Sequence, residues 1–201
     1  MIDVVLILSA TALMLDARLR PALVAYLTFT GATLWLAYPH DLSARAVAFF
    51  LAIAVVKLIV SPLVIVAIVT RYGAPENLRA SFNIAWRITI AIASVAIGVA
   101  ASKMEAFAGV PMAGAVFTAL FSSVAVVVLH RNLIAHVIGL LMLGSAISLA
   151  GAVFAPGLSG ATELADTFDV VISSLVALSV LRSIVAYDPH LDIRSLKDLR
   201  G

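Results

Sequence analysis

Seven apolar runs, at about 2–15, 22–38, 44–70, 84–102, 109–129, 133–155 and 163–187, take up most of this 201-residue chain. Only short stretches of charge, Pro or Gly divide them. A spanning helix needs about 20 residues, so the length accommodates about seven spans with little left for loops. Charged residues are 12% of the chain, against roughly 25% in a soluble domain. With 63% hydrophobic residues and a mean hydropathy of +1.15, a soluble fold of this size has too little polar surface to face water. A soluble enzyme domain and a disordered chain are both excluded. Lipid offers no partner to backbone N–H and C=O groups, so each run must be helical. Ala, Leu and Val dominate without the period-2 alternation of a lipid-facing barrel. The expected fold class is therefore all-α, a polytopic membrane helical bundle of about seven transmembrane helices forming one membrane domain over 1–201.

Loop charge orients such a bundle. Arg18, Arg20, Arg71, Arg79, Arg87 and Arg131 fall on the odd-numbered connections, and Arg182, Arg194, Lys197 and Arg200 fall at the C-terminal end. Arg45 and Lys103 fall on the other side. This bias places the N-terminus outside and the C-terminus in the cytoplasm. The start, Met1-Ile2-Asp3, lacks the positive region of a secretory signal, so the first run is expected to be a retained helix. The stretch 71–83, with Gly73, Pro75, Glu76 and Arg79, reads as a cytoplasmic loop or a short interfacial helix capped near Pro75. The tail from Asp188 has apolar residues at 191, 193, 196 and 199 that partly fit one helical face, and it is expected to dock.

Chemistry motifs are missing. The chain has no cysteine, which removes disulfides, thiolate metal sites and cysteine nucleophiles. Its four histidines are scattered without ligand spacing, and no Walker loop, zincin helix or nucleophile elbow is present. No catalytic, cofactor or metal site is expected. Nor is nucleic acid expected as a partner, since no basic patch with interleaved aromatics occurs.

Ionisable residues within spans cost at least about 2.5 kcal/mol at the centre unless paired or hydrated, so they mark function or pairing. Lys57 lies 13 residues into the third run, too deep to reach an interface easily. Pro62, five residues on, removes a backbone donor and is expected to free the carbonyl of Leu58. Lys57 reads either as a proton-relay group or as a static partner of an acid on another helix or subunit. The seventh run supplies Glu163, Asp166 and Asp169, which climb one side of a helix in steps of about 4.5 Å. Glu163 and Asp166 also suit the start of a helix on electrostatic grounds alone. Asp169, roughly 10 Å in, needs a cation or a proton. His136, near Arg131, reads as a proton-passing group or an interfacial polar residue. The small residues Ala135, Gly139, Gly144, Ala146, Ala150 and Gly151 let the sixth run pack closely on a neighbour.

The C-terminal third carries a resemblance. Arg131-Asn132-Leu133-Ile134, Gly139 within a span, a second span, and the ending Leu191-Asp192-Ile193 and Leu199-Arg200-Gly201 resemble the K-type subunit of complex I. The longer E component of hydrogenase-4-type complexes and formate hydrogenlyases looks similar over nearly the whole length. The spacing of Lys57 and Pro62 fits that family's third span, and Glu163 and Asp169 match its acid pair. The last 70 residues carry most of the specificity. One departure stands out. Where the family has an acid in a Met-Glu-Asn-Gly run, this chain reads Leu143-Gly144-Ser145-Ala146, and Leu141 stands at the K-type subunit's own acid.

The resemblance implies a five-helix extension over 1–130, then a K-subunit-like two-helix region and cytoplasmic tail over 131–201. It also implies a multi-pass protein of the prokaryotic inner (plasma) membrane, surrounded by lipid bilayer. It would be a non-catalytic subunit of an oxidoreductase-linked assembly, with antiporter-like and other membrane subunits as partners. The alternatives are an autonomous small-solute or ion transporter, or a subunit of a multisubunit sodium/proton antiporter.

Overall fold

A computed structural model describes residues 2–15, 18–36, 44–72, 82–107, 109–110 and 112–155. Every regular element among them is helical, and six of the seven apolar runs fold as helices close to their expected bounds. The helices are α1 (Ile2–Leu15), α2 (Leu19–Leu36), α3 (Ala44–Val55), α4 (Ser61–Tyr72), α5 (Ile84–Ser102), α6 (Ala113–Leu129) and α7 (Leu133–Phe154). A π-helical turn, Val56–Val60, joins α3 to α4 without interruption, so 44–72 is one helix. The seventh run, 163–187, the tail from Asp188 and most of the 71–83 stretch lie outside the described residues. Among the described residues three helices are long and apolar enough to cross a membrane: the one containing Phe50–Ala67, then Ile84–Ser102 and Leu133–Phe154.

Local chemistry sets the boundaries. Helix α2 begins three residues before the apolar run, because Pro21 is tolerated in a first turn, where its missing N–H has no helical partner anyway. Asn83 caps α5 by accepting from the Trp86 amide at 3.0 Å. Asn132 caps α7 by accepting from the Ile134 amide at 2.8 Å. Both satisfy first-turn amides that no carbonyl can reach.

The two hairpins α1–α2 and α6–α7 pack together, α1 against α6 and α2 against α7. Helix α5 lies along α6 and touches α1. The 44–72 helix makes its closest backbone approach to α2 through the π turn. Tyr26, Phe29, Leu13, Met14, Leu129, Ile138 and Met142 fill the centre. Ser9, Thr30, Ser122, Ser123 and Ser145 are buried with them, while Leu8, Val24, Leu63, Trp86 and Ile92 face outward. Hydroxyls inside and large aliphatics outside reverse the arrangement that water favours.

Helices α5 and α6 cross on small residues. A Cβ on Gly98 would stand 2.7 Å from the Thr118 amide nitrogen and 2.9 Å from the Gly114 carbonyl oxygen. Across the same contact Ser102 lies beside Gly114, so the two helices are antiparallel. The start of α5 meets the end of α1, where Arg87 reaches Met14. The ends of α1 and α6 therefore share one end of the bundle, together with Arg18, Arg20, Arg87 and Arg131. At the opposite end Phe107, Phe117 and Phe154 cluster with ring centroids 4.9 to 5.7 Å apart.

Because the obstacle at Gly98 is backbone, Gly98→Ala is expected to destabilise the protein by about 1–3 kcal/mol, the usual cost of overpacking. At Gly114 a new Cβ would meet the Ser102 side chain at 3.3 Å and the Gly98 carbonyl oxygen at 3.6 Å, an ordinary contact distance. Gly114→Ala should therefore change stability little. Thermal unfolding of the two purified variants in mild detergent measures the difference.

Candidate functional site

Pro62 has no N–H, and in an α-helix its ring would press on the Leu58 carbonyl. The 44–72 helix meets this by widening one turn. The Ser61 amide donates to the Val56 carbonyl, five residues back, and the Ser61 hydroxyl donates to the same oxygen at 3.0 Å. This leaves a further carbonyl without an amide. In the α register the Lys57 carbonyl would take the Ser61 amide, but that amide is engaged. In the π register its partner would be residue 62, which has none to give. The Lys57 carbonyl instead accepts from the Tyr26 hydroxyl of α2 at 3.1 Å. The Lys57 carbonyl thus joins the Leu58 carbonyl, the one expected from sequence, as a group that faces the proline's missing N–H.

Lys57 is 2% exposed and Tyr26 is fully buried. The Lys57 ammonium donates to the Ser148 hydroxyl of α7 at 3.2 Å. The backbone and the side chain of one residue thus tie the 44–72 helix to two others, α2 and α7. Ser148 lies in the last third of α7, a helix with no acid from Leu133 to Phe154. One turn earlier the buried Ser145 hydroxyl donates to its own helix at Leu141, 3.2 Å away. A serine hydroxyl both accepts and donates, so Ser148 can take a proton from one side and present one on the other.

The other expected residues do not gather here. His136 is half-buried in the first turn of α7, with Nδ1 2.9 Å from the Asn132 carbonyl oxygen. Twelve residues separate it from Ser148, about 18 Å along the helix. Glu163, Asp166 and Asp169 lie outside the described residues. Among the described residues no group of His, Asp or Glu could hold a metal ion.

Three buried polar residues were not singled out from sequence for this role. Tyr26 stands in an apolar run, where a phenol reads as ordinary core. Arg87 figured only as a loop charge that sets orientation. It is 6% exposed in the first turn of α5, and its Nε donates to the Met14 carbonyl at 3.0 Å. That carbonyl belongs to the last turn of α1, where helix carbonyls lack amide partners and a cation is favoured. His130, 2% exposed just beyond α6, places Nδ1 3.0 Å from the Val126 carbonyl oxygen for the same reason. The available signal for Arg87 was its position one turn inside an apolar run, after the capping residue Asn83.

Ser148→Ala removes one acceptor from a buried ammonium. It should cost about 1.5–3 kcal/mol, the range for hydrogen bonds to charged groups. In a Lys57→Met background the same change should cost under about 0.5 kcal/mol, since the coupling partner is gone. Thermal unfolding of the four proteins closes this cycle.

Comparison with protein-family models, with curated proteins and with solved structures finds no match for the chain.

Proposed function

We propose that this chain is a non-catalytic, seven-span membrane subunit of a complex I-like energy-converting assembly, of the hydrogenase-4 or formate hydrogenlyase type. Lys57 contributes to its polar axis for ion translocation. The carrying observation is Lys57 itself, buried at the middle of a long apolar helix, on a broken turn, with its ammonium on Ser148. A cation held at that depth needs a purpose, and charge relay or pairing along an ion path is the usual one.

Further features support the membrane part of this reading. Arg18, Arg20, Arg87 and Arg131 gather at one end of the bundle, as a cytoplasmic face requires. Exposed Trp86 stands near that end and exposed Trp35 near the other, where indole rings suit the two membrane–water interfaces. The aliphatic exterior suits lipid. On this reading the N-terminus is outside, the C-terminus is cytoplasmic and the host membrane is the prokaryotic plasma membrane. Membership of the complex I-like assembly rests on the sequence resemblance: Arg131-Asn132-Leu133-Ile134, the closing Arg200-Gly201, and the Lys57–Pro62 spacing. Antiporter-like subunits would be its neighbours. Asp169 would extend the polar axis and Glu163 would lie toward its outer side.

The π turn beside Lys57 also suits a second reading, an autonomous transporter, since such proteins bind ions where membrane helices are broken. Those sites come from paired broken helices. Among the described residues only the 44–72 helix has such a turn.

Two measurements decide. Purification in mild detergent with mass spectrometry of stoichiometric companions should return antiporter-like subunits and a redox module. A chain recovered alone, or only with its own copies, would exclude the assembly. Within the intact assembly Lys57→Met should cut coupled ion movement while blue-native gels show unchanged assembly. Asp169→Asn should lower coupling if it belongs to the relay, and lower assembly if its role is only to pair.

A further inference from the structure

Two registers are open to the helix at Pro62, and they differ in which carbonyl faces the missing amide. The α register orphans the Leu58 carbonyl and sets it against the proline ring. The π register orphans the Lys57 carbonyl. What separates them is the hydroxyl of Tyr26, which reaches the Lys57 carbonyl at 3.1 Å in the π register. Ser61 adds to the same choice, because its amide and hydroxyl both engage the Val56 carbonyl. The register also fixes the direction of the lysine. One residue of an α-helix turns the chain by about 100°, so closing the π turn would swing Lys57 relative to α4.

We propose that Tyr26 is a positioning residue: its hydroxyl latches the 44–72 helix in the π register, and its release lets the helix close and turn Lys57 away from Ser148. The device has two states, and a hydrogen bond from a neighbouring helix biases them. A relative movement of α2 against the 44–72 helix would break that bond. The functional consequence rests on the proposed charge-handling role of Lys57, whereas the latch does not.

The absence of cysteine from the chain gives a clean background for the test. Cysteines in place of Lys57 and Ser148, joined by a short bis-methanethiosulfonate in native membranes, report where position 57 points. A control pair replaces Ser102 and Gly114, where an ideal Cβ on Gly114 lies 3.4 Å from the Ser102 Cβ. That spacing suits a direct disulfide. Tyr26→Phe keeps the ring and removes one oxygen. It should lower the 57–148 cross-link at least about twofold, the population change expected from one lost hydrogen bond. Adding Pro62→Ala restores an amide for the α register and should lower the yield again. The control disulfide should form to the same extent throughout.

An unchanged 57–148 yield in Tyr26→Phe would overturn the latch. So would a parallel loss of the control disulfide, which would give Tyr26 a general packing role instead. In the chain that retains Lys57, Tyr26→Phe should also shift the pH profile of coupled ion movement. If Lys57→Met leaves ion movement intact while the cross-link falls as expected, the relay reading fails and the latch stands. If Lys57→Met abolishes ion movement while the cross-link is indifferent to Tyr26, the latch fails and the relay stands.

Discussion

A single missing amide hydrogen, that of Pro62, governs where the buried charge of this protein sits. A helix in an apolar setting must satisfy every backbone carbonyl internally or from a neighbour. The proline makes that impossible within 44–72, so the deficit is passed to another helix. The widened turn chooses the Lys57 carbonyl as the group to export, and Tyr26 of α2 receives it. The side chain of the same residue goes the other way, to Ser148 of α7. The position of the ammonium is therefore a consequence of backbone accounting, and the surrounding helices are fixed relative to it by directed bonds as well as by apolar contact.

The rest of the bundle is organised by what apolar surroundings reward. Without water, apolar side chains gain little by leaving lipid, so contact is driven by close fit and internal polar bonds. Gly98 against Thr118 and Gly114 provides the fit between α5 and α6. Gly139 does the same beneath Val127, where an added Cβ would stand 2.7 Å from the valine methyl. Buried hydroxyls mostly bond back onto their own helices, as Ser123 does to Ala119 at 2.7 Å and Thr118 to Gly114 at 2.8 Å. At the basic end the orphan carbonyls of α1 and α6 are met by Arg87 and His130. Each of these solves the same problem in a different place.

Much of the helical layout was legible in the sequence because apolar runs bounded by charges, Pro and Gly leave few other options. The bounds of α1, α5 and α7 follow the runs to within a residue. Pro21 misled at α2, since proline marks a stop in mid-helix but is tolerated in a first turn. The depth of Lys57 and a disturbance at Pro62 could be read from five residues of spacing. That the Lys57 carbonyl would take its partner from another helix could not, because it depends on whether the helix answers the proline in the α or the π register. The partner Ser148 is 91 residues away, and only packing of the 44–72 helix beside α7 brings it close. Arg87 was opaque for a related reason: a charge at the edge of an apolar run reads as interfacial until the end of α1 is placed over it.

The 44–72 helix is about 43 Å long at 1.5 Å per residue, and its closest backbone approach to α2 comes near the midpoint, at the π turn. Ile65 and Val69 in its second half are buried in the common core, so the helix is held beyond the widened turn as well as at it. A widened turn is where a long helix bends most readily. Lys57 therefore sits at the joint between two helical segments, the place where a change of angle between them alters its surroundings most.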